Sequence, residues 1–306
     1  MLAVLCPGQG AQTPGMLLPW LQLESVSAHL ESLSEATNVD LLTHGTVSDA
    51  DTIRDTAIAQ PLLVATALVT ARALLTEGVP RSAVVAGHSV GEFGAAALAG
   101  VLTDAQALTL VSVRGAAMAA AAAAAEPTSM AAVLGGEPSV VTAALAELHL
   151  TPANVNGGGQ VVAAGSSSAI AQLVANPPER ARVIELQVAG AFHTHYMSPA
   201  VDALAAAASG VSPNEPAVTL LSNADGAAVA SGADAVARLV RQVANPVRWD
   251  LCMEAMLELG VTGIIELAPG GVLTGLAKRV MKGVPAVALK TPDDLAAARE
   301  LMEEHA

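Results

Sequence analysis

The residues best suited to chemistry in this chain are Gly87-His88-Ser89-Val90-Gly91, a serine with a glycine two places to either side. Val84-Val85-Ala86 ahead of it reads as a short buried strand, and Gly91–Ala99 behind it has helical composition. That context predicts a nucleophile elbow, in which a sharp strand-to-helix turn projects the hydroxyl of Ser89 while small neighbours let strand and helix approach. The N–H groups at the helix start would face a developing oxyanion. A serine hydroxyl is a weak nucleophile at neutral pH and needs a base. Of the seven histidines, His88 sits on the turn itself and is expected to point away from Ser89. His193, in Ala191-Phe192-His193-Thr194-His195, follows a predicted strand where the chain re-enters the cleft. Taken alone it is as readily a surface residue; the elbow makes it the expected base.

Three further patterns carry weaker chemistry. His193 and His195 form an H-x-H pair that could ligate a metal from one face of a strand, but no third ligand accompanies them, and no metal is expected. Arg114 follows Val111 and Val113 and precedes Met118, so it lies in or beside the apolar stripe of its helix. It either snorkels to water or pairs with a buried anion, for which an anionic substrate would serve. Gly8-Gln9-Gly10 invites a dinucleotide-binding reading, but Thr13 stands where GxGxxG needs its third glycine. A turn that delivers backbone N–H groups to the cleft fits better.

The elements that must position these residues alternate. Leu2–Leu5 reads as a buried strand, Ile58–Glu77 as an apolar helix tolerating Pro61 near its start, and Val84–Ala86 as the next strand. Thr103 with Gln106 forms a capping-box pattern opening a helix that runs through Arg114 into the alanine tract and ends at Pro127. From Ser129 the units shorten: strand Met130–Leu134, helix Ser139–Leu148, a break at Asn154–Gly159, strand Gln160–Ala164, helix Ser168–Ala175 and strand Val183–Val188. Three strands and two helices are named around that break, and we read the stretch as the βαββαβ order of a ferredoxin-like unit. Strands at Val218–Leu221 and Gly263–Leu267, with helices at Ala233–Val243 and Leu251–Leu259, return the chain to the larger layer. The expectation is an α/β fold: a parallel-sheet large subdomain from residues 1–127 and 190–306, a small ferredoxin-like subdomain from 128–189, and a cleft between them.

Composition bounds the function. With 53% hydrophobic and 14% charged residues, the 306-residue chain lies far from the balance that keeps chains disordered. Only 2% is aromatic, so Ala, Val and Leu must fill the core and each aromatic, Phe192 and Trp249 among them, is worth following. The strongly apolar tract Ala116–Ala125 is shorter than the ~20 residues that cross a bilayer, and the N-terminus has no signal-like pattern. A cytoplasmic protein without membrane contact is expected. Two cysteines, Cys6 and Cys252, fit buried thiols in a reducing compartment. A net charge of −14 argues against nucleic acid. Anionic ligands would need local basic clusters, with Lys278, Arg279 and Lys282, or Arg180 and Arg182, as candidates.

Taken together, the motifs resemble those of the malonyl-CoA:acyl carrier protein transacylases, of the acyltransferase family of fatty-acid and polyketide synthesis. The resemblance runs nearly the whole chain: PGQGAQ at 7–12, AQPLL at 59–63, GHSVGE at 87–92, Arg114, GQVVAAG at 159–165, GAFH at 190–193, NPVRW at 245–249 and ELAPGGVLTGLAKR at 266–279. It implies an α/β-hydrolase-like large subdomain with a ferredoxin-like insert. It implies Ser89 as nucleophile, His193 as base, Arg114 on the free malonyl carboxylate, and the N–H groups of Gln9 and Val90 as oxyanion hole. Gln60 and Phe192 are implied as further substrate-binding positions, and the main-chain carbonyl of Gln242 as the group that orients His193, which would account for the lack of an acidic triad member. Val90 and GAFH, where methylmalonyl-specific relatives usually carry YASH, imply malonyl. The implied partners are malonyl-CoA, as substrate, and acyl carrier protein, with no cofactor. The alternatives are a trans-acting malonyl transferase of a polyketide or malonate decarboxylase system, a serine esterase, and a non-catalytic carrier-binding subunit. Apolar-flanked Arg114 and the missing acid count against the esterase, and Ser89 with His193 against the last.

Overall fold

The computed structural model describes residues 1–305. Its first strand, β1 (Leu2–Cys6), is buried along its length. The two-residue period sends Leu2, Val4 and Cys6 into one apolar cluster and Ala3 and Leu5 into another, so the strand lies at the middle of a sheet covered on both faces. Helices α1 (Glu24–Glu35), α2 (Leu41–Thr46) and α3 (Thr56–Leu74) follow. The last is apolar on nearly every side and buried accordingly, with Asp55 capping its start through Ala57 N–H. β2 (Val84–Gly87) pairs parallel with β1 and passes through Ser89 into α4 (Gly91–Leu98). The predicted capping box opens α5 (Asp104–Ala124): Thr103 Oγ1 accepts from Gln106 N–H at 3.1 Å and Gln106 Oε1 from Thr103 N–H at 2.9 Å. By length and composition α3 and α5 could each cross a bilayer; 83% of the apolar window of α3 is buried inside the fold.

The next stretch comprises β3 (Thr128–Gly135), α6 (Pro138–Glu147), β4 (Thr151–Gly157), β5 (Gln160–Ser166), α7 (Ser167–Ala175) and β6 (Ala181–Glu185). They pair antiparallel in the order β6-β3-β5-β4. Two expectations are corrected here. Asn154–Gly159 is not a break: its first residues complete β4, and Gly157, Gly158 and Gly159 form the hairpin at positive φ, where side chains are disfavoured. The asparagines at 154 and 156 obscured the apolar signal of a strand. β6 also ends at Glu185 rather than Val188, and Leu186, Gln187 and Val188 leave the sheet to line the cleft. Val141, Leu145, Ile170 and Leu173 of α6 and α7 cover one sheet face, and Met130 and Val162 turn the other towards the cleft.

The chain closes with α8 (Ser198–Ala208), β7 (Thr219–Leu220), α9 (Gly232–Gln242), β8 (Val247–Arg248), α10 (Trp249–Glu258), β9 (Gly263–Glu266), α11 (Val272–Val280), β10 (Ala286–Ala288) and α12 (Leu295–His305). The large sheet is parallel throughout, in the order β10-β9-β1-β2-β7. β8 does not join it. It pairs parallel with β4, Asn154 opposite Val247, and gives the small sheet a fifth strand from a distant part of the chain.

Candidate active site

Ser89 occupies the β2–α4 turn at φ 53°, in the left-handed region that costs a non-glycine residue about 1–3 kcal/mol. The flanking glycines are required by contact. A Cβ on Gly87 would strike the backbone of Gly91, and one on Gly91 would strike the carbonyl of Cys6. His193 is also left-handed, at φ 60°. The two side chains meet, with Ser89 Oγ 2.7 Å from His193 Nε2. On the far side of the ring, Nδ1 donates to the main-chain carbonyl of Gln242 at 3.0 Å. Gln242 ends α9, where carbonyls lack helical partners. The bond fixes the tautomer, leaving the Nε2 lone pair on Ser89. Burial, and then the charge of Arg114, push the ring down to about 3, so it is neutral at physiological pH.

The other histidines are elsewhere. His88 turns across the cleft, its Nε2 2.8 Å from Asn156 Oδ1 and its ring edge-on to Trp249 at 5.7 Å. His195 is exposed and stacks on Tyr196 at 4.2 Å, so it diverges from His193. Among the described residues no three His, Cys, Asp or Glu side chains gather as metal ligands would.

Arg114 does not snorkel. It is fully buried, with its guanidinium 5.8 Å from the centre of the Phe93 ring. Nη1 donates to Gln60 Oε1 at 2.7 Å, and Nη2 to Gln242 Oε1 at 3.0 Å and Ser89 Oγ at 3.3 Å. Nε has no partner. Burial lowers its pKa to about 10 and raises that of the nearby Glu92 carboxyl to about 8. At neutral pH a buried cation therefore faces neutral amides, a hydroxyl and a mostly protonated acid, with N–H groups to spare. That arrangement suits a visiting anion.

Above Ser89 a cavity of about 340 Å³ opens between the two sheets, with Gln9, Gln60, Met130, Val162, Phe192 and Leu276 on its walls. The N–H groups of Gln9 and Val90 donate to no acceptor among the described residues, as an oxyanion hole requires. Val90 differs from expectation in one respect: its side chain is fully buried in the core and does not line the cavity, so its free N–H is what it has to offer the site. Sequence reasoning missed Asn223, fully buried and bonded to the N–H of Ser89, and the side chain of Gln242. Glu92 stood in the GHSVGE motif without an assigned part.

Residues 4–293 match the family described as Acyl transferase domain. The chain belongs to that family. This acyl transferase domain is 50% identical over 297 residues to the malonyl CoA-acyl carrier protein transacylase of Mycobacterium tuberculosis, covering 96% of this chain and 98% of the relative. The crystal structure of MCAT from the same organism superposes with a TM-score of 0.94 at 48% identity, covering 98% and 99% of the two chains. A malonyl-transacylase solved in complex with its type II PKS acyl-carrier protein superposes with a TM-score of 0.90 at 32% identity, again covering 98% and 99%.

Proposed function

We propose that this acyl transferase domain moves malonyl from malonyl-CoA to the phosphopantetheine thiol of an acyl carrier protein through a malonyl ester on Ser89. It supplies fatty-acid synthesis in the cytoplasm. The observation that carries this reading is the convergence on Ser89 Oγ of a neutral His193 Nε2 and the buried cation of Arg114. The names of the full-length relatives support the same acyl group and acceptor, and the solved complex supports docking of a carrier protein.

In the first half-reaction Ser89 Oγ attacks the thioester carbonyl as His193 Nε2 takes its proton. Charge builds on the carbonyl oxygen, which the N–H groups of Gln9 and Val90 receive. The C–S bond breaks and coenzyme A leaves with the proton from His193. A thiol, with a pKa near ~8.5, is a far better leaving group than an amine. A main-chain carbonyl in place of a triad carboxylate therefore suffices. In the second half-reaction His193 takes the proton of the phosphopantetheine thiol, whose sulfur attacks the ester, and Ser89 recovers its proton as it leaves. Arg114 holds the malonyl carboxylate, Gln60 braces Arg114, and Phe192 forms part of the acyl wall.

The decisive experiment incubates the protein with malonyl-CoA labelled in the malonyl group, then adds holo carrier protein. Label should appear on the protein as an ester, be absent from Ser89→Ala, and pass to the carrier, with parallel initial-rate lines. Label retained by Ser89→Ala, or intersecting lines, would overturn the reading.

A further inference from the structure

Asn223 lies in the loop between β7 and α9, with no exposed surface and no place on the cavity wall. Its carboxamide faces the elbow. Oδ1 accepts from Ser89 N–H at 2.7 Å, and Nδ2 donates to the carbonyl of Gly87 at 2.8 Å. The orientation is settled by chemistry, because a peptide N–H can only donate and a carbonyl can only accept. One side chain thus grips the main chain on both sides of His88. The ladder between β2 and β7 explains why a side chain is needed. Val84 and Val85 pair with Thr219 and Leu220, and Leu221 N–H reaches the carbonyl of Val85. Beyond that point the strands diverge, and the carboxamide of Asn223 takes the place of the missing peptide.

The residue is itself held from three sides. Its N–H donates to Glu92 Oε1 of α4 at 2.7 Å, its carbonyl accepts from Arg248 N–H at 2.8 Å, and Oδ1 lies 3.4 Å from Gln242 Nε2. Gln242 is also the residue whose carbonyl orients His193 and whose Oε1 holds Arg114. Because the N–H of Ser89 is taken, it is not available to an oxyanion.

We propose that Asn223 is a positioning residue, which by bridging the Gly87 carbonyl and the Ser89 N–H holds Ser89 in the left-handed turn that aims Oγ at His193. The inference rests on Ser89 as nucleophile. Removing the bridge lets the turn relax, and a displacement of about 1 Å at a reacting atom lowers rates on the order of 10²-fold. Asn223 does not line the cavity, and Arg114 keeps its bond to Gln60 without it, so substrate binding should change less than the chemical step.

The test measures single-turnover acylation of Ser89 by malonyl-CoA alongside steady-state kinetics. Asn223→Ala should lower the acylation rate and kcat on the order of 10²-fold with the KM for malonyl-CoA within about 3-fold of wild type. Asn223→Asp keeps the acceptor for Ser89 N–H but sets a carboxylate oxygen against the Gly87 carbonyl. Protonation restores a donor there. The ratio of its rate to that of wild type should therefore rise about 10-fold or more between about pH 8 and about pH 5. The other groups around Asn223, namely Glu92 of α4, Arg238 of α9, Cys252 of α10 and more distant Arg114, are common to both proteins, and His193 stays neutral over this range. If Asn223→Ala does not fold, the pH ratio of Asn223→Asp decides. A wild-type protein that takes no label overturns the reading of Ser89 and this inference with it. A labelled wild type with Asn223→Ala acylated within about 3-fold, or with a flat ratio for Asn223→Asp, overturns this inference alone.

Discussion

Arg114 sits beneath Ser89 with an unpaired Nε–H and only neutral oxygens as partners. A malonyl carboxylate would complete it, whereas an acetyl group would leave it as it is. Truncating one member of a desolvated charge pair typically costs ~2–5 kcal/mol, so Arg114→Ala should lower kcat/KM for malonyl-CoA on the order of 10²–10³-fold. Acetyl transfer should hold or rise, and Arg114→Lys should rescue poorly because a point charge cannot reproduce the fork. Equal losses with both acyl groups would assign the arginine to the fold. For His193 the pH profile is the measurement. The neutral ring is the active form, and its value near 3 lies below the ordinary 6.5, so kcat/KM should not fall between about pH 7 and about pH 5. His193→Ala should slow acylation by about 10²-fold or more, and His88→Ala should not match it. Ser89 and His193 were legible because strand, small residues and helix surround the first, and the elbow then demands the second. Asn223 was not. Its partner Ser89 is 134 residues away, and Leu221–Asp225 reads as an ordinary polar loop.

At the scale of elements, α4 carries a cost in its first turn. Glu92 is buried and its carboxyl is pushed from 4.5 up to about 8, chiefly by burial. Between those values the native state keeps a proton that the unfolded chain has released. Its contribution is therefore most favourable below the unfolded value and is lost as pH rises towards the folded one, by up to ~1.4 kcal/mol per pH unit. His193 acts oppositely, but only between its folded and unfolded values of about 3 and 6.5. From pH 6.5 to 8 Glu92 should dominate, and Glu92→Gln, which keeps an oxygen for Asn223 N–H, should gain in Tm over wild type as pH rises through that window. A constant Tm difference would show that the carboxyl ionises without penalty. Apolar runs made β1, β2 and β9 readable, and the capping box fixed the start of α5. The strand expected at Val218–Leu221 is likewise present as β7, whereas β8 is two residues long, too short for any periodic signal, and the polar cleft face of β4 hid that strand.

Across the whole molecule, a net charge of −14 must be overcome locally if an acidic carrier protein is to dock. Lys278, Arg279 and Lys282 are exposed at the end of α11, whose Val272, Leu273 and Leu276 line the cavity, and Arg279 Nη2 donates to Gln160 Oε1 at 3.2 Å. Since exposed charges are screened beyond about 8 Å at physiological salt, the KM for carrier protein should rise with ionic strength and become less salt-sensitive in a triple Ala variant. The layered α/β plan was readable from alternating elements, but the pairing of β8 with β4 was not, because nothing in sequence marks which distant strand an edge will accept. That pairing has an engineering consequence. Residues 128–189 look like a cassette that could be grafted between relatives to exchange acyl preference. Yet the outer edge of β4 in that cassette is zipped to Val247 and Arg248, a few residues beyond Gln242, and Arg248 N–H is held by the carbonyl of Asn223. A foreign cassette would bring an edge that has never matched this recipient's β8, and any slip there would be felt at the carbonyl that aims His193. Chimeras that carry the donor's 242–249 segment along with the cassette should keep their turnover, and those that cut at 128 and 189 alone should lose it.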